Sequence, residues 1–228
     1  MPDTVASLYE QLFPLTTVMK QRFVDNFSGD DIDSDRWGKG YQDSNAGTYD
    51  ISMNDAVDGG LRCTSNTGTN HGVYIGFVPN ASAVVTQSVR QYAHNGSVII
   101  WGQRWNTISS EINSSNAGFM EQGRTDAASV NMSVCRFSSG SSFFQHRVAN
   151  GGGSQTDTAS TVSTDTSLHT HKIELTSTNS QYTIDGVLEA TITTNLPAAK
   201  FAPCFGLQNG ATGTSSEFDL LYVECYNT

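Results

Sequence analysis

The chain has 228 residues, 37% of them hydrophobic, with 22 acidic against 12 basic side chains and a net charge of −10. That length allows a sizeable core, and all-β sandwiches of this size are often one domain. No Lys/Arg cluster is present, which sets nucleic acid and anionic membranes aside as partners, and no run reaches the about 20 apolar residues of a membrane helix.

In chain order, residues 1–20 read as an N-terminal arm. Asp3 or Thr4 can cap a short helix, and Val5, Leu8, Tyr9 and Leu12, with Phe13 beside them, form an apolar stripe that Pro14 ends. A helix this short needs something to pack against. The stripe packs on its own domain or docks on a neighbouring subunit. The opening MPDTVASLYEQLFPLTT has no basic n-region, apolar h-region or small-residue cleavage site, so synthesis in the cytosol without a signal peptide is expected.

Residues 21–228 read as one domain of short strands. FVDNF opens it, SGDD turns, and IDSDRW ends on Trp37. Strands are expected at 48–52, 60–64, 72–78 and 83–92. The most apolar is SVIIWGQRW at 97–105, followed by 118–122, 129–137 and 142–148. Residues 149–167 form a Gly, Ser and Thr tract, read as an exposed loop. HKIEL, QYTI and VLEATIT then alternate with period 2 around Asp185-Gly186, the dipeptide of a two-residue hairpin turn, until Asn195-Leu196-Pro197 stops them. Residues 205–208 and 218–226 close the chain. Many short strands without a long helical pattern argue for an all-β, antiparallel two-sheet sandwich or jelly roll.

Three segments carry a resemblance. FVDNFSGDDIDSDRW near the start, HKIELTSTNSQYTIDGVLEATITTNLP late and EFDLLYVECY at the end are similar to the concanavalin A-like lectin/glucanase superfamily, which includes laminin-G-type domains. Asp25, Phe27, Gly29 and Trp37 fit its opening pattern. Residues 182–186 and 195–197 fit its late pattern, and Phe218, Asp219 and Val223 fit its last strand. The resemblance implies a jelly roll of two curved antiparallel sheets over about residues 22–226. Its motifs are structural and do not define an activity.

Chemistry is less legible. Glycoside hydrolysis needs two carboxyl groups about 5–10 Å apart, and the resemblance implies that glucanases of this fold hold them on one strand as E-x-D-x-x-E or E-x-D-x-E. The only look-alike runs from Glu217 through Asp219 to Glu224. Leu221 and Tyr222 stand where a third carboxylate belongs, and Glu224 falls on the opposite parity. Glu111 and Glu121 lie near aromatics, Glu121 with Arg124 close by, a pattern more typical of ion pairs. Asp31, Asp33 and Asp35 begin like a calcium loop, but Arg36 and Gln42 break it. Asp30, Asp31 and loop carbonyls can still form a simpler Ca²⁺ site, with a solvated turn as the other reading. His169 and His171 share a strand face and lack a third ligand, so a solvated strand edge is expected instead of a zinc site. Trp101, Gln103 and Trp105 share a face and are the candidate glycan site, with Tyr41 as a further aromatic; the alternative is a core aromatic pair. Cys63, Cys135, Cys204 and Cys225 contain no CxxC pair. They read as small buried residues, or as two disulfides with three possible connectivities.

A fold that usually faces the outside on a chain without an export signal leads to one expectation. It is a non-enzymatic virion structural protein, a phage capsid-decoration or tail-associated subunit. It would be made in the host cytoplasm, be homo-oligomeric, dock on other virion proteins through the arm and need no cofactor. The alternative is a lectin module holding surface glycans, and a polysaccharide hydrolase or lyase is the third reading.

Overall fold

A computed structural model describes residues 22–28, 32, 37–42, 50–53, 60–65, 72–76, 96–108, 112–121, 131–138, 141–198, 202–209 and 215–227. These residues contain strands and no helix. The strands are β1 (Arg22–Asp25), β2 (Gly38–Gln42), β3 (Asp50–Met53), β4 (Leu61–Thr64), β5 (Gly72–Gly76), β6 (Ser97–Thr107), β7 (Ile112–Met120), β8 (Asn131–Phe137), β9 (Phe143–Asn150), β10 (Gln155–Ser163), β11 (Leu168–Leu175), β12 (Ser180–Ile184), β13 (Val187–Ile192), β14 (Ala202–Asn209) and β15 (Glu217–Asn227). The expected helical arm, with Val5, Leu8, Tyr9, Leu12 and Phe13, lies outside the described residues and has no support among them. So do Asp30, Asp31, Glu111, Arg124 and the expected strand at 83–92.

The strands form two antiparallel sheets. An eight-stranded sheet runs β13-β12-β11-β6-β15-β4-β3, with β1 also on β15, and a seven-stranded sheet runs β10-β9-β8-β7-β14-β5-β2. Non-consecutive strands lie side by side along β11-β6-β15-β4 in one sheet and β7-β14-β5-β2 in the other, the crossovers of a jelly-roll sandwich. The core lies between the sheets. From one side Trp101, Ile173, Tyr182 and Phe218 enter it, and from the other Phe119, Phe144 and Phe205.

The three recognised segments have physical causes. Trp37 Nε1 donates to Asp25 Oδ2 at 2.8 Å, and the Phe27 amide donates to Asp25 Oδ1 at 2.8 Å, closing an Asx turn at the φ of 48° adopted by Phe27. Asp185 and Gly186 sit at φ 50° and 84°, as a primed hairpin turn requires. On β15 the register shifts between Leu220 and Tyr222, so Phe218, Leu220, Val223 and Cys225 are all buried. The bulge corrects the expected parity of Glu224: it shares the outward face with Glu217 and Asp219.

One more expectation fails. The tract at 149–167 holds the edge strand β10, paired with β9 from Gln155↔Ala149 to Ser163↔Phe143. It carries too few apolar residues for period 2 to show. β10 also meets β13, the edge strand of the other sheet. Thr161 donates to Glu189 Oε2 through its amide at 2.6 Å and its hydroxyl at 2.8 Å, and Asn195 Nδ2 donates to Thr156 Oγ1 at 2.9 Å. The four cysteines are buried free thiols, and burial pushes Cys135 and Cys204 up to about 12.

Candidate functional site

The middle of the seven-stranded sheet shows which residues face inward and which outward. On β8, Ser133 Oγ lies 2.8 Å from Ser180 Oγ on the opposite sheet, and the Tyr182 hydroxyl donates to Cys135 Sγ at 2.9 Å. These odd-numbered residues therefore point into the sandwich. Period 2 sends Met132, Val134 and Arg136 to the outer face.

Register extends that face across its neighbours. Arg136 is level with Gln145 on β9 and Asn116 on β7, while Met132 is level with Ala149 and Met120. One end is apolar: Met120, Met132, Val134, Ala149 and Cys204 form a second buried cluster, separate from the core between the sheets. The other end is polar. Arg136 NH1 donates to Gln145 Oε1 at 3.2 Å and to Ser138 Oγ at 3.3 Å. Arg136 and Gln145 are half-buried, whereas Asn116 is buried and its Oδ1 has no hydrogen-bond partner among the described residues. Beside Val134, Arg147 forks onto Asp157 with Nε–Oδ1 and NH2–Oδ2 distances of 2.6 Å.

Asp157 is the one carboxylate on the strands of this sheet. Glu121 follows the last residue of β7 and accepts from Asn131 Nδ2 at 2.7 Å. An acid–base pair for glycosidic cleavage therefore needs a carboxyl from beyond the strands themselves. Among the described residues no group of three His, Cys, Asp or Glu is placed to hold a metal.

The residues singled out in the sequence lie elsewhere. Trp101, Gln103 and Trp105 do share a face, but it is the inner one, at 0%, 4% and 2% exposure. Trp101 Nε1 donates to Gln103 Oε1 at 3.2 Å, which satisfies both inside the core. Side chains this buried cannot stack on a sugar. Tyr41 is on β2, level with Val73 of β5. His169 and His171 are buried too and do not form a solvated edge. His171 stacks between Trp101 and Tyr182, and its Nδ1 lies 2.8 Å from the Tyr182 hydroxyl. Burial pulls His171 down to about 3. For His169 burial also acts downward, but Asp185 and Asp165, at 2.7 and 3.1 Å, outweigh it and raise its pKa.

Two other clusters have catalytic-looking parts. His146 Nε2 lies 2.8 Å from Ser180 Oγ, as in a base–nucleophile pair. Its Nδ1 faces the Val134 carbonyl and not a carboxylate, both residues are fully buried, and burial lowers His146 to about 4. That pair is structural. On the outer side of the eight-stranded sheet Asp219, fully buried, takes Arg62 Nε at 2.8 Å and Arg104 NH2 at 3.1 Å. Burial would raise its pKa, but the hydrogen bonds from the arginines prevail and hold it below the ordinary range. Asp219 has no exposed surface that a glycosidic oxygen could reach, so the Glu217–Asp219–Glu224 face is not a catalytic ladder.

No protein-family model matches the chain, and no curated protein matches it in sequence. Solved structures do match its fold. An immunostimulatory antigen and pseudo β-1,3-glucanase of Mycobacterium tuberculosis aligns with a TM-score of 0.63 at 11% identity, covering 90% of this chain and 98% of that one. A β-1,3-1,4-glucanase (lichenase) from a mouse hindgut metagenome gives 0.62 at 12% identity, covering 91% and 99%. The β-glucanase of Bacillus licheniformis gives 0.61 at 15%, covering 91% and 98%. At these identities the likeness establishes the glucanase-type jelly roll.

These matches overturn the expected role. The sandwiches that align over nearly the whole chain are named as glucan-cleaving enzymes, with one pseudo-glucanase among them, which runs against the expected non-enzymatic virion subunit. The virion, capsid-decoration and not-an-enzyme expectations are withdrawn on that ground, and the lectin alternative gains nothing from the inward-facing Trp101 and Trp105.

Proposed function

We propose that the protein is a glycan-cleaving protein that lays a polysaccharide chain across the outer face of its seven-stranded sheet. The observation that carries this is the row Gln145–Arg136–Asn116 on that face, in a sandwich whose whole-length structural matches are glucanases. Sugar hydroxyls both donate and accept hydrogen bonds. The row offers two side-chain amides and a guanidinium across three adjacent strands, about 10 Å at ordinary strand spacing, which is the width of a disaccharide. Asp157 is the carboxylate on the face itself, and Glu121, next to the end of β7, is the candidate partner.

The test is reducing-end release from a panel of β-glucans and galactans, in the unaltered chain and in Asp157→Asn and Glu121→Gln. Release that falls by about a hundredfold or more in either variant, the usual scale for losing an acid or base, supports the assignment. Release indifferent to both substitutions moves the chemistry to other carboxyls. Absence of release and of binding across the panel refutes the proposal.

A further inference from the structure

We propose that His169 is a pH-operated latch. As an imidazolium it ties the β10–β11 connection to the β12–β13 turn, and as a neutral ring it releases the connection while keeping the turn. The inference stands apart from the glycan-cleaving reading.

The geometry asks both ring nitrogens to carry protons. His169 Nδ1 lies 2.7 Å from Asp185 Oδ2, and Nε2 lies 3.1 Å from Asp165 Oδ1. An ionised carboxylate accepts and never donates, so each bond takes an N–H, and the charged ring alone has two. Asp165 belongs to the connection between Ser163 and Leu168, and Asp185 to the turn between Ile184 and Val187. One buried ring therefore bridges two separate connections.

The two ends are not held equally. Asp185 continues the ladder: its Oδ1 accepts the Thr170 amide at 2.8 Å, and its own amide donates to the Thr170 carbonyl at 2.8 Å. The other bond to Asp165, among the described residues, comes from the Ser167 amide at 2.7 Å, which folds the connection on itself without tying it to either sheet. Upstream, the Thr164 amide is held by the Ser142 carbonyl at 3.0 Å, so the segment free to move is 165–167. Loss of one proton leaves one donor. The shorter, ladder-anchored bond keeps it on Nδ1, and Nε2 then turns a lone pair on an Asp165 oxygen. Two acceptors at that distance repel, and the half-exposed Asp165 carboxylate exchanges the ring for water.

The surroundings make His169 the titrating group. The charged and titratable groups that face it are Asp165, Asp185 and, on its own strand, His171. From β9 it meets Phe144, 5.5 Å away, and from β6 it is level with Gln103, neither of which ionises. Burial holds His171 neutral down to about 3, so it brings no second transition near neutral pH. On His169 burial acts the same way, but the two carboxylates outweigh it and place the transition above the ordinary histidine value, about 6.5. The latch is closed below that transition and opens as pH rises through it.

The experiment is an NMR titration of the intact, isotope-labelled chain from about pH 5 to about pH 9. Long-range proton–nitrogen correlations follow the His169 ring, and backbone relaxation follows Asp165, Thr166 and Ser167. The expected result is one midpoint for both. On the acid side both ring nitrogens carry protons and the connection is as rigid as β11. On the alkaline side the proton sits on Nδ1, the connection moves on the nanosecond timescale, and Thr170 and Asp185 stay rigid. Asp165→Ala should free the connection at every pH and lower the His169 midpoint by about half a unit or more. His169→Phe, which has no donor, should free it without any midpoint. Asp165→Ala alters a half-exposed residue and leaves the core untouched, so it decides the matter where His169→Phe fails to fold. A connection equally rigid across the His169 transition overturns the inference. So does a neutral ring protonated on Nε2, and so does an unshifted midpoint in Asp165→Ala.

Discussion

Trp37 donates its indole N–H to one oxygen of Asp25 while the Phe27 amide takes the other, both at 2.8 Å. One carboxylate thus fixes a chain reversal and anchors a core indole that also packs on Phe23 and Phe27. Asp25→Ala leaves two donors without their acceptor and should destabilise the fold by about 2 kcal/mol. Asp25→Asn keeps one acceptor and should cost about half as much. Urea midpoints at constant m-value decide it, and a neutral Asp25→Ala would mean that the indole finds water instead.

A second prediction concerns Asp219. Removing it takes a charge-assisted acceptor from Arg62 and Arg104 on the outer side of the eight-stranded sheet while Arg62 keeps Glu217 at 3.3 Å, so Asp219→Ala should cost about 1–3 kcal/mol. Its folded pKa lies below its unfolded one. The carboxylate therefore contributes stability above the unfolded value, about pH 4, and loses it as pH falls through the lower folded value. Unfolding free energies of the unaltered chain and of Asp219→Asn should converge below about pH 4. Parallel curves down to pH 2 would contradict the assignment.

The buried imidazoles give a third prediction. His171 and His146 sit at about 3 and about 4 in the folded chain, lowered by burial. The unfolded chain takes up their protons near pH 6.5 and the folded chain does not, so stability falls as pH drops from about 6.5 towards 4, at about 1.4 kcal/mol per pH unit for each histidine. His169 has the opposite sign. Its raised pKa adds stability that is complete below about 6.5 and is lost as pH rises through the folded value. Replacing His171 by Gln should remove about one proton from the acid slope. An unchanged slope would show that His171 is protonated in the fold.

The fourth prediction follows from the inward face of β6. Trp105→Ala removes an indole packed on Phe137 and Phe218 and should cost about 3–5 kcal/mol. At a temperature where the variant remains folded, glycan affinity should stay within about twofold of the unaltered chain, since the ring reaches no outer surface. A folded Trp105→Ala that has lost its glycan would reverse that placement.

How far the sequence announces this structure depends on whether a strand has one wet face. β11 to β13 alternate cleanly, and Asp185-Gly186 marks their turn, so these strands are readable to within about three residues, the largest difference being β11, which starts at Leu168 and not at His171. On β8 alternation is lost. Both faces are buried, one against the core and one in the second apolar cluster, so NMSVCRF does not reveal that Arg136 points outward. Trp101 and Trp105 were correctly read as sharing a face, but period 2 cannot say which face is inside. β10 was invisible for the opposite reason: TDTAST has little apolar content, and its place is set by the ladder to β9. The Glu224 parity failed because a bulge leaves no residue-type signature in LLYV. The Gln145–Arg136–Asn116 row joins three strands separated in the sequence and exists only through register.

The bonds from β10 to Glu189 and from Asn195 to Thr156 bear on solubility. Edge strands expose unpaired amides and carbonyls and are the usual starting points for intermolecular β-pairing. Here the terminal strand of each sheet at this end of the sandwich is engaged with the other through side chains, and Thr161 gives its amide to Glu189. Exposed Val187 and Leu188 sit on β13 within this guarded edge. Glu189 thereby acts as a gatekeeper against aggregation, holding a β-rich, apolar-tipped hairpin away from fibril-like self-association.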